Sequence, residues 1–257
     1  MTIKSVAIVT GASQGIGRAT ALRLARDFSG VVLVARDKDK LEETAAEIRS
    51  AGVEATIYAL DLREPRSAET VIKSTLERFG RIDALLNIAG AVPQIDLFEM
   101  EDAQWDDGMA LKFHGARRLT MRAWNALKDS SGSVVLMSGS AAFGPKPAFA
   151  AIAAINAAIN VLAKAFAEQG IKDGVQVNSV SPGAVMTGRR RAFFEKWAPA
   201  HNLTIEDAIN TFPQQAGITR FGKPEEIADL MSYLVSPAAK WMTGAAVRMD
   251  GGEIKGI

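Results

Sequence analysis

The chain has no cysteine among its 257 residues. That excludes disulfides, thiolate nucleophiles and thiolate metal sites. Histidine and tyrosine are almost as scarce: His114 and His201, Tyr58 and Tyr233 are all there are. No metal site is expected. An excess of one charge is missing too, since 30 basic residues face 29 acidic ones. No bulk electrostatic case for a nucleic-acid or membrane partner follows. No apolar run reads as long and unbroken enough to span a bilayer. The nearest, Ala148–Ala167, is interrupted by Asn156, Asn160 and Lys164 and is expected as a buried or oligomer-facing helix. A basic leader followed by an apolar run is absent, so no export signal is expected and the cytoplasm is the expected location.

What is present is alternation. Runs rich in Val, Ile and Leu occur at 3–9, 31–35, 55–60, 84–88, 133–137, 175–180 and 245–249. They lack strict polar alternation, as strands buried on both faces do. Segments of helical periodicity separate them, such as the one carrying Leu41, Ala45 and Ile48 with charges opposite. Strand–helix alternation predicts an α/β fold: one Rossmann-type, doubly wound parallel sheet of about seven strands with helices on both faces. A single domain is expected over 1–257. The long strandless stretch from Pro182 to Lys240 is expected to hold helices and a lid, at about 184–222, over a site at the carboxyl ends of the strands.

Thr10-Gly11-Ala12-Ser13-Gln14-Gly15-Ile16-Gly17 follows the first strand directly and opens the first helix. Glycines there let the backbone turn tightly and approach a diphosphate, and a helix N-terminus offers free N–H groups to an anion. The spacing is G-x-x-x-G-x-G rather than G-x-G-x-x-G.

With that turn, four further motifs make the chain resemble the classical short-chain dehydrogenase/reductase family over essentially its whole length. They are Asp61-Leu62, Asn87-Ile88-Ala89-Gly90, Pro182-Gly183 and Asp250-Gly251-Gly252. The resemblance implies a nicotinamide dinucleotide. Its phosphates would lie on the turn that includes Gly11, Ser13, Gln14, Gly15, Ile16 and Gly17. Asp61 and Leu62 would bracket the adenine, while Asn87, Ala89 and Gly90 would line the adenosine ribose side. Pro182, Gly183 and Thr187 would hold the nicotinamide end. It also suggests a homotetramer or homodimer, with the Lys112 and Ala148–Ala167 helices at an interface.

The second strand ends Val34-Ala35-Arg36-Asp37. The acidic position that would bind a ribose 2′-OH falls on Ala35, and Arg36 stands where NADP-preferring members place an arginine for the 2′-phosphate. NADP(H) is therefore favoured over NAD(H). Asp37 weighs against this, and Arg36 has an alternative in pairing with Asp39 or Glu43.

The family reduces carbonyls with an Asn, a Ser, a Tyr and a Lys. Aligned by their flanks, those positions carry Lys112, Gly139, Ile152 and Asn156. Isoleucine cannot give a proton, so general acid catalysis by tyrosine is unavailable. Two explanations stand side by side. In one, Lys112 projects its ammonium into the vacated volume and Asn156 accepts its hydrogen bond, giving a desolvated lysine of lowered pKa. In the other, the site has drifted and Lys112 is solvated. Ser138 and Ser140 are candidate holders of a substrate oxygen or strand-end caps. His114 is expected at the surface or an interface, and His201 in a solvated loop. Arg189-Arg190-Arg191 read as a solvated face or as a greeting for an acidic substrate or the diphosphate. Phe143, Phe149, Phe193, Phe194 and Trp197 read as core or as an apolar substrate wall.

Three functions follow, in order. The first is an NADP(H)-dependent oxidoreductase of an unidentified small molecule with a non-standard proton donor: Lys112, a Ser-held water or the substrate itself. The second is a regulatory or structural nucleotide-binding protein. The third is a non-redox enzyme on the same fold, resembling the halohydrin dehalogenases. Those retain the Ser and Tyr and lose the glycine turn, the reverse of this chain.

Overall fold

Seven short apolar runs become seven strands: β1 (Val6–Thr10), β2 (Gly30–Ala35), β3 (Glu54–Ala59), β4 (Ala84–Asn87), β5 (Ser133–Met137), β6 (Gln176–Pro182) and β7 (Ala246–Met249). The computed structural model describes residues 4–256, so Ile3, where the sequence reading starts the first strand, lies outside them. All seven strands are parallel, in the order β3-β2-β1-β4-β5-β6-β7. This is the doubly wound sheet expected from the alternation of elements. Its order reverses between β1 and β4, and the crevice at that switch point is where such sheets bind ligands.

On one face lie α1 (Gly15–Leu24), α2 (Lys38–Ser50) and α9 (Pro224–Leu234). Leu24, Leu41 and Met231 pack there with Val9, Leu33 and Leu86 of the sheet. The other face carries α3 (Pro65–Phe79), α5 (Ala116–Asp129) and α6 (Ala150–Asp173). Val71, Leu119 and Ile159 close a second core with Ile8, Leu85 and Val134. Each such fully buried side chain contributes about 1.5–3 kcal/mol. Both faces of the central strands are thus covered, which is why their sequences do not alternate.

The helix before α5 departs from ideal geometry. Its first part is α4 (Asp102–Gly108), and a π-helical turn, Met109–Gly115, joins it to α5. A π-turn inserts a residue and re-aims the side chains around it. Lys112 is the middle residue of this one. Nothing in the sequence periodicity signals it.

The apolar stretch around Ala148–Ala167 forms α6, preceded by a short turn at Pro147–Phe149. Contrary to the sequence reading, Pro147–Asp173 is long and apolar enough, by length and composition alone, to cross a membrane. Here it lies on the sheet. Two of its polar interruptions are used inward: Asn160 Oδ1 accepts from Ser179 of β6 at 2.9 Å, and Asn156 accepts from Lys112.

Between β6 and β7 stand α7 (Gly188–Ala200) and α8 (Ile205–Ala216), followed by α9. Thr187 and Thr204 cap the first two through Arg190 N and Asp207 N. Phe194, Ala198 and Ala208 form a small core of their own with Trp197 and Phe212.

Candidate functional site

Gly11 and Gly15 have φ of +68° and +56°, a region that L side chains rarely adopt. Gly17 is constrained by space instead: a Cβ there would stand 2.1 Å from Gly11 O. The chain therefore folds back on itself at the end of β1. Gln14 begins α1 with no side-chain cap, so the first-turn N–H groups stay open. Thr10 ties this turn to the neighbouring strand. Its hydroxyl accepts from Ile88 N at 2.9 Å and Ala89 N at 3.0 Å. The result is a cavity of about 480 Å³ at the switch point, floored by the glycine turn and flanked by Asp61-Leu62 and residues 88–91. Positive φ, a Cβ-free floor and an uncapped helix N-terminus fit a diphosphate.

One end of this cavity carries Arg36, whose side chain is 66% exposed and only 3.9 Å from its nearest carboxylate, on Asp61. It pairs with neither Asp39 nor Glu43. Asp37, which weighed against a phosphate at this point, is occupied. It N-caps α2 by accepting from Lys40 N at 3.1 Å and pairs with Lys40 Nζ at 3.4 Å. Those bonds hold its carboxyl below the usual value, the backbone N–H of Lys40 first among them. Lys40 also lines the cavity, as a second cation.

At the other end, the π-turn delivers Lys112. Its Nζ donates to Asn156 Oδ1 and, at 3.0 Å, to Ser138 O. The residue keeps some accessible surface, yet the ammonium lies deep in the protein. Burial, with Arg189 as a neighbouring positive charge, lowers its pKa to about 7. Two carbonyl acceptors keep the charged form tolerable. Gly90 of the first cavity lies against the lysine stem, where a Cβ would stand 3.0 Å from Lys112 Cδ.

An ammonium can only donate, so it fixes Asn156 Oδ1 inward and turns Nδ2 the other way. That Nδ2 has no acceptor among the described residues. It sits where a side chain at Gly139 would otherwise be, 2.7 Å from an added Cβ. Gly139 and Asn156 both line a second cavity of about 380 Å³. Ile152 lines it as well, with its body against Val92, Met100 and Ile155. Phe149, Phe193, Phe194 and Trp197 form an aromatic wall. Arg190 and Glu253 add charge, and Glu253 Oε2 accepts from Ser140 Oγ at 3.2 Å.

Several expected site residues stand elsewhere. Ser138 does not offer its hydroxyl to a ligand; Oγ donates to Asn156 O at 2.8 Å, and the residue contributes its carbonyl to Lys112 instead. Asn87 is buried and turned toward α5, donating to Thr120 Oγ1 at 3.2 Å, while Ile88, Ala89 and Gly90 line the cavity. Pro182 and Gly183 line the second cavity, beside Gly139 and Asn156. Thr187 does face the first, beside Gly15. Phe143 leaves the wall and packs under Arg248. Arg189 donates to Gly90 O and Val92 O, both at 3.2 Å, at the edge of the first cavity. His114 is half-buried with its Nδ1 unpartnered, and burial lowers its pKa. His201 stacks on Trp197 at the exposed end of α7.

Sequence reasoning gave Thr10 no role of its own within the turn and passed over Lys40, Gln94 and Glu253. Glu253 could have been found: it follows the Asp250-Gly251-Gly252 motif, whose Asp250 caps the turn by accepting from Gly252 N and Ile254 N.

Comparison with known proteins agrees with this architecture. The family model described as enoyl-(acyl carrier protein) reductase matches residues 11–253. A 3-oxoacyl-(acyl-carrier-protein) reductase of Staphylococcus epidermidis is 29% identical over 248 residues, 96% of this chain and 97% of the relative. The crystal structure of L-sorbose reductase from Gluconobacter frateurii, complexed with NADPH and L-sorbose, superposes with a TM-score of 0.94 at 28% identity, covering 100% of both chains. An actinorhodin polyketide ketoreductase variant with NADPH gives 0.91 at 29% identity, covering 97% of each. Glycine turn, strand order and full-length similarity together show that the chain belongs to the short-chain dehydrogenase/reductase family of oxidoreductases.

Proposed function

We propose that this protein is an NADP(H)-dependent oxidoreductase of a small molecule in which Lys112 and Asn156 replace the family's usual catalytic set. The observation that carries the reading is the buried Lys112 ammonium bonded to Asn156 Oδ1, with the opposite edge of that amide free at the second cavity. The residues at the Asn, Ser, Tyr and Lys positions of the family are Lys112, Gly139, Ile152 and Asn156. They act as a compensated group. A serine at 139 would place its Cβ 2.7 Å from Asn156 Nδ2, so glycine there leaves the amide its present position.

The first cavity holds NADP(H), with the diphosphate on the turn from Gly11 to Gly17, Arg36 and Lys40 at the 2′-phosphate, and Thr187 and Arg189 toward the nicotinamide. This fit is supported by the 66%-exposed Arg36 and by Asp37 being engaged at its helix cap. When bound, the cofactor supplies a hydride to an electrophilic carbon. Asn156 Nδ2 donates a hydrogen bond to the oxygen or nitrogen on which negative charge develops. Lys112 acts through Asn156: its ammonium, with a pKa lowered to about 7, donates to Oδ1 and polarises the amide so that Nδ2 is the stronger donor, while the proton that completes reduction comes from solvent in the second cavity. Such a site suits polarised C=C and iminium bonds, which ask less of a proton donor than a plain ketone.

The segment at about 184–222, with α7 and α8, acts as the lid; backbone bonds between Ala184, Met186 and Gly222 hold its two ends together. Exposed Met121, Val161 and Ile171 on α5 and α6 support assembly of copies through that face.

The test is NADPH consumption across a panel of carbonyls, enones and imines, for the natural chain and for Lys112→Met. Turnover that disappears in the variant while NADPH still binds supports the reading. A second reading, bound nucleotide without turnover, is favoured by apolar Ile152 at the tyrosine position. It predicts tight NADPH binding and no consumption with any of the panel.

A further inference from the structure

The three arginines at the start of α7 have different fates. Arg189 is engaged by two carbonyls, and Arg191 pairs with Glu195 at 3.6 Å and Glu206 at 3.8 Å. Arg190, between them, has no side-chain hydrogen bond and no carboxylate in ion-pair contact among the described residues. Its guanidinium lies over the Phe212 ring, 5.5 Å from the centroid.

Its position is costly in two ways. Burial presses against its charge, with Arg189 adding to the effect and Glu253 opposing it. It also occupies the first turn of α7, the positive end of the helix dipole, where no acidic residue offsets it. A half-buried, unpaired cation in such a place is stabilised by an anion from outside the chain. The side chain lines the second cavity. Arg190, Phe193, Phe194 and Trp197 follow i, i+3, i+4, i+7 spacing, so one stripe of α7 faces the second cavity.

We infer that the second cavity takes a substrate carrying a carboxylate on an apolar body of aromatic size, with the Arg190 guanidinium as its anion-binding group. The planar fork of the guanidinium matches a carboxylate. Phe149, Phe193 and Trp197 supply the apolar wall for the body. Glu253 on the same cavity adds negative potential, which favours a monoanion over a phosphate dianion. The volume of about 380 Å³ suits a small molecule. This inference rests on reading that cavity as the substrate side of a reductase site.

Calorimetric titration of the full chain, with and without NADPH, tests it using phenylacetate, phenylacetamide and phenyl phosphate as probes. Phenylacetate is expected to bind about tenfold tighter than the isosteric amide, as a charge-assisted pair with arginine does, and tighter than phenyl phosphate. Arg190→Met is expected to bring acid and amide within about twofold of each other, Arg190→Lys to retain part of the preference, and Arg191→Gln to leave it unchanged. Parity of acid and amide in the natural chain overturns the inference, as does binding of none of the probes or a preference for phenyl phosphate. Should Arg190→Met fail to fold, an Arg190→Lys chain that binds NADPH normally and shows the full natural preference also overturns it. NADPH consumption is scored separately. A carboxylate preference in a chain that oxidises no NADPH leaves the anion site standing and ends the reductase reading.

Discussion

The two ends of the site are built from different materials. The dinucleotide end is made of backbone: two positive-φ glycines, a Gly17 with no room for a Cβ, an uncapped helix N-terminus and N–H groups pinned by Thr10. The end proposed to carry the chemistry is made of side chains: Lys112, Asn156, Ile152 and the space over Gly139. Backbone geometry tolerates few residue types, so it keeps a motif that can be read. A side-chain arrangement can be rebuilt from other residues if its hydrogen bonds and volumes still close. Lys112 and Asn156 close theirs across 44 residues of sequence, from a π-turn in one helix to the first turns of another.

That contrast can be broken at several points. The largest effect is expected at the backbone end. Gly17→Val places carbon atoms on Gly11 O, and NADPH affinity measured by calorimetry should fall at least about 100-fold, with a lower Tm. Next is Lys112→Met. Its kcat should fall by about 10²- to 10³-fold, with NADPH affinity within about threefold of the natural chain. Tm should hold or rise, since a buried cation gives way to an apolar side chain. A collapse of NADPH binding instead would make Lys112 structural. Gly139→Ala comes third. The new Cβ displaces Asn156 Nδ2, and kcat should drop about tenfold while cofactor affinity holds. The smallest effect is at Arg36→Leu, which should reduce the preference for NADPH over NADH by about tenfold without changing turnover at saturation.

The pH dependence sharpens the same comparison. The ordinary lysine value is 10.5 and Lys112 is lowered to about 7. Below about pH 7 the ammonium is charged in both the folded and unfolded chains, and the folded state carries the whole cost of its burial. Between about pH 7 and 10.5 the unfolded chain holds a proton that the folded chain has released. Stability measured against Lys112→Met should therefore rise with pH through that window and level off above it. In the proposed role the charged ammonium polarises Asn156, so kcat should fall as pH rises through about 7. That inflection should be absent in Lys112→Met. A merely structural lysine would leave the activity profile unmoved.

Much of the fold was legible because its signals are local. Buried parallel strands show as unbroken Val/Ile/Leu runs, and a glycine turn between strand and helix marks the switch point. The cation at Arg36 was equally visible, though whether Asp37 cancels it was not. That depended on the α2 cap, which uses Asp37 for Lys40 N. Ser138 and Asn87 misled because residue type and strand-end position do not tell which way a side chain turns. Both turn into neighbouring helices. Pro182 ends β6 and Gly183 follows it, so both reach the second cavity, the side on which a nicotinamide would meet its substrate.

By itself the sequence determined the sheet, its switch point, the dinucleotide cradle and a stock of only two tyrosines, Tyr58 and Tyr233. Each follows from short-range pattern or from plain inventory. Only the tertiary structure decided the fate of Lys112. Sequence spacing leaves a lysine on that helix either solvated or buried. The π-turn aims it inward, Asn156 of α6 and Ser138 just past β5 meet its ammonium, and Gly90 and Gly139 make room on either side. The same holds for Arg190, one of three adjacent arginines and set apart by which side of α7 faces the cavity. Long-range packing fixes both, because a charge is costly only where the rest of the chain has taken its water away.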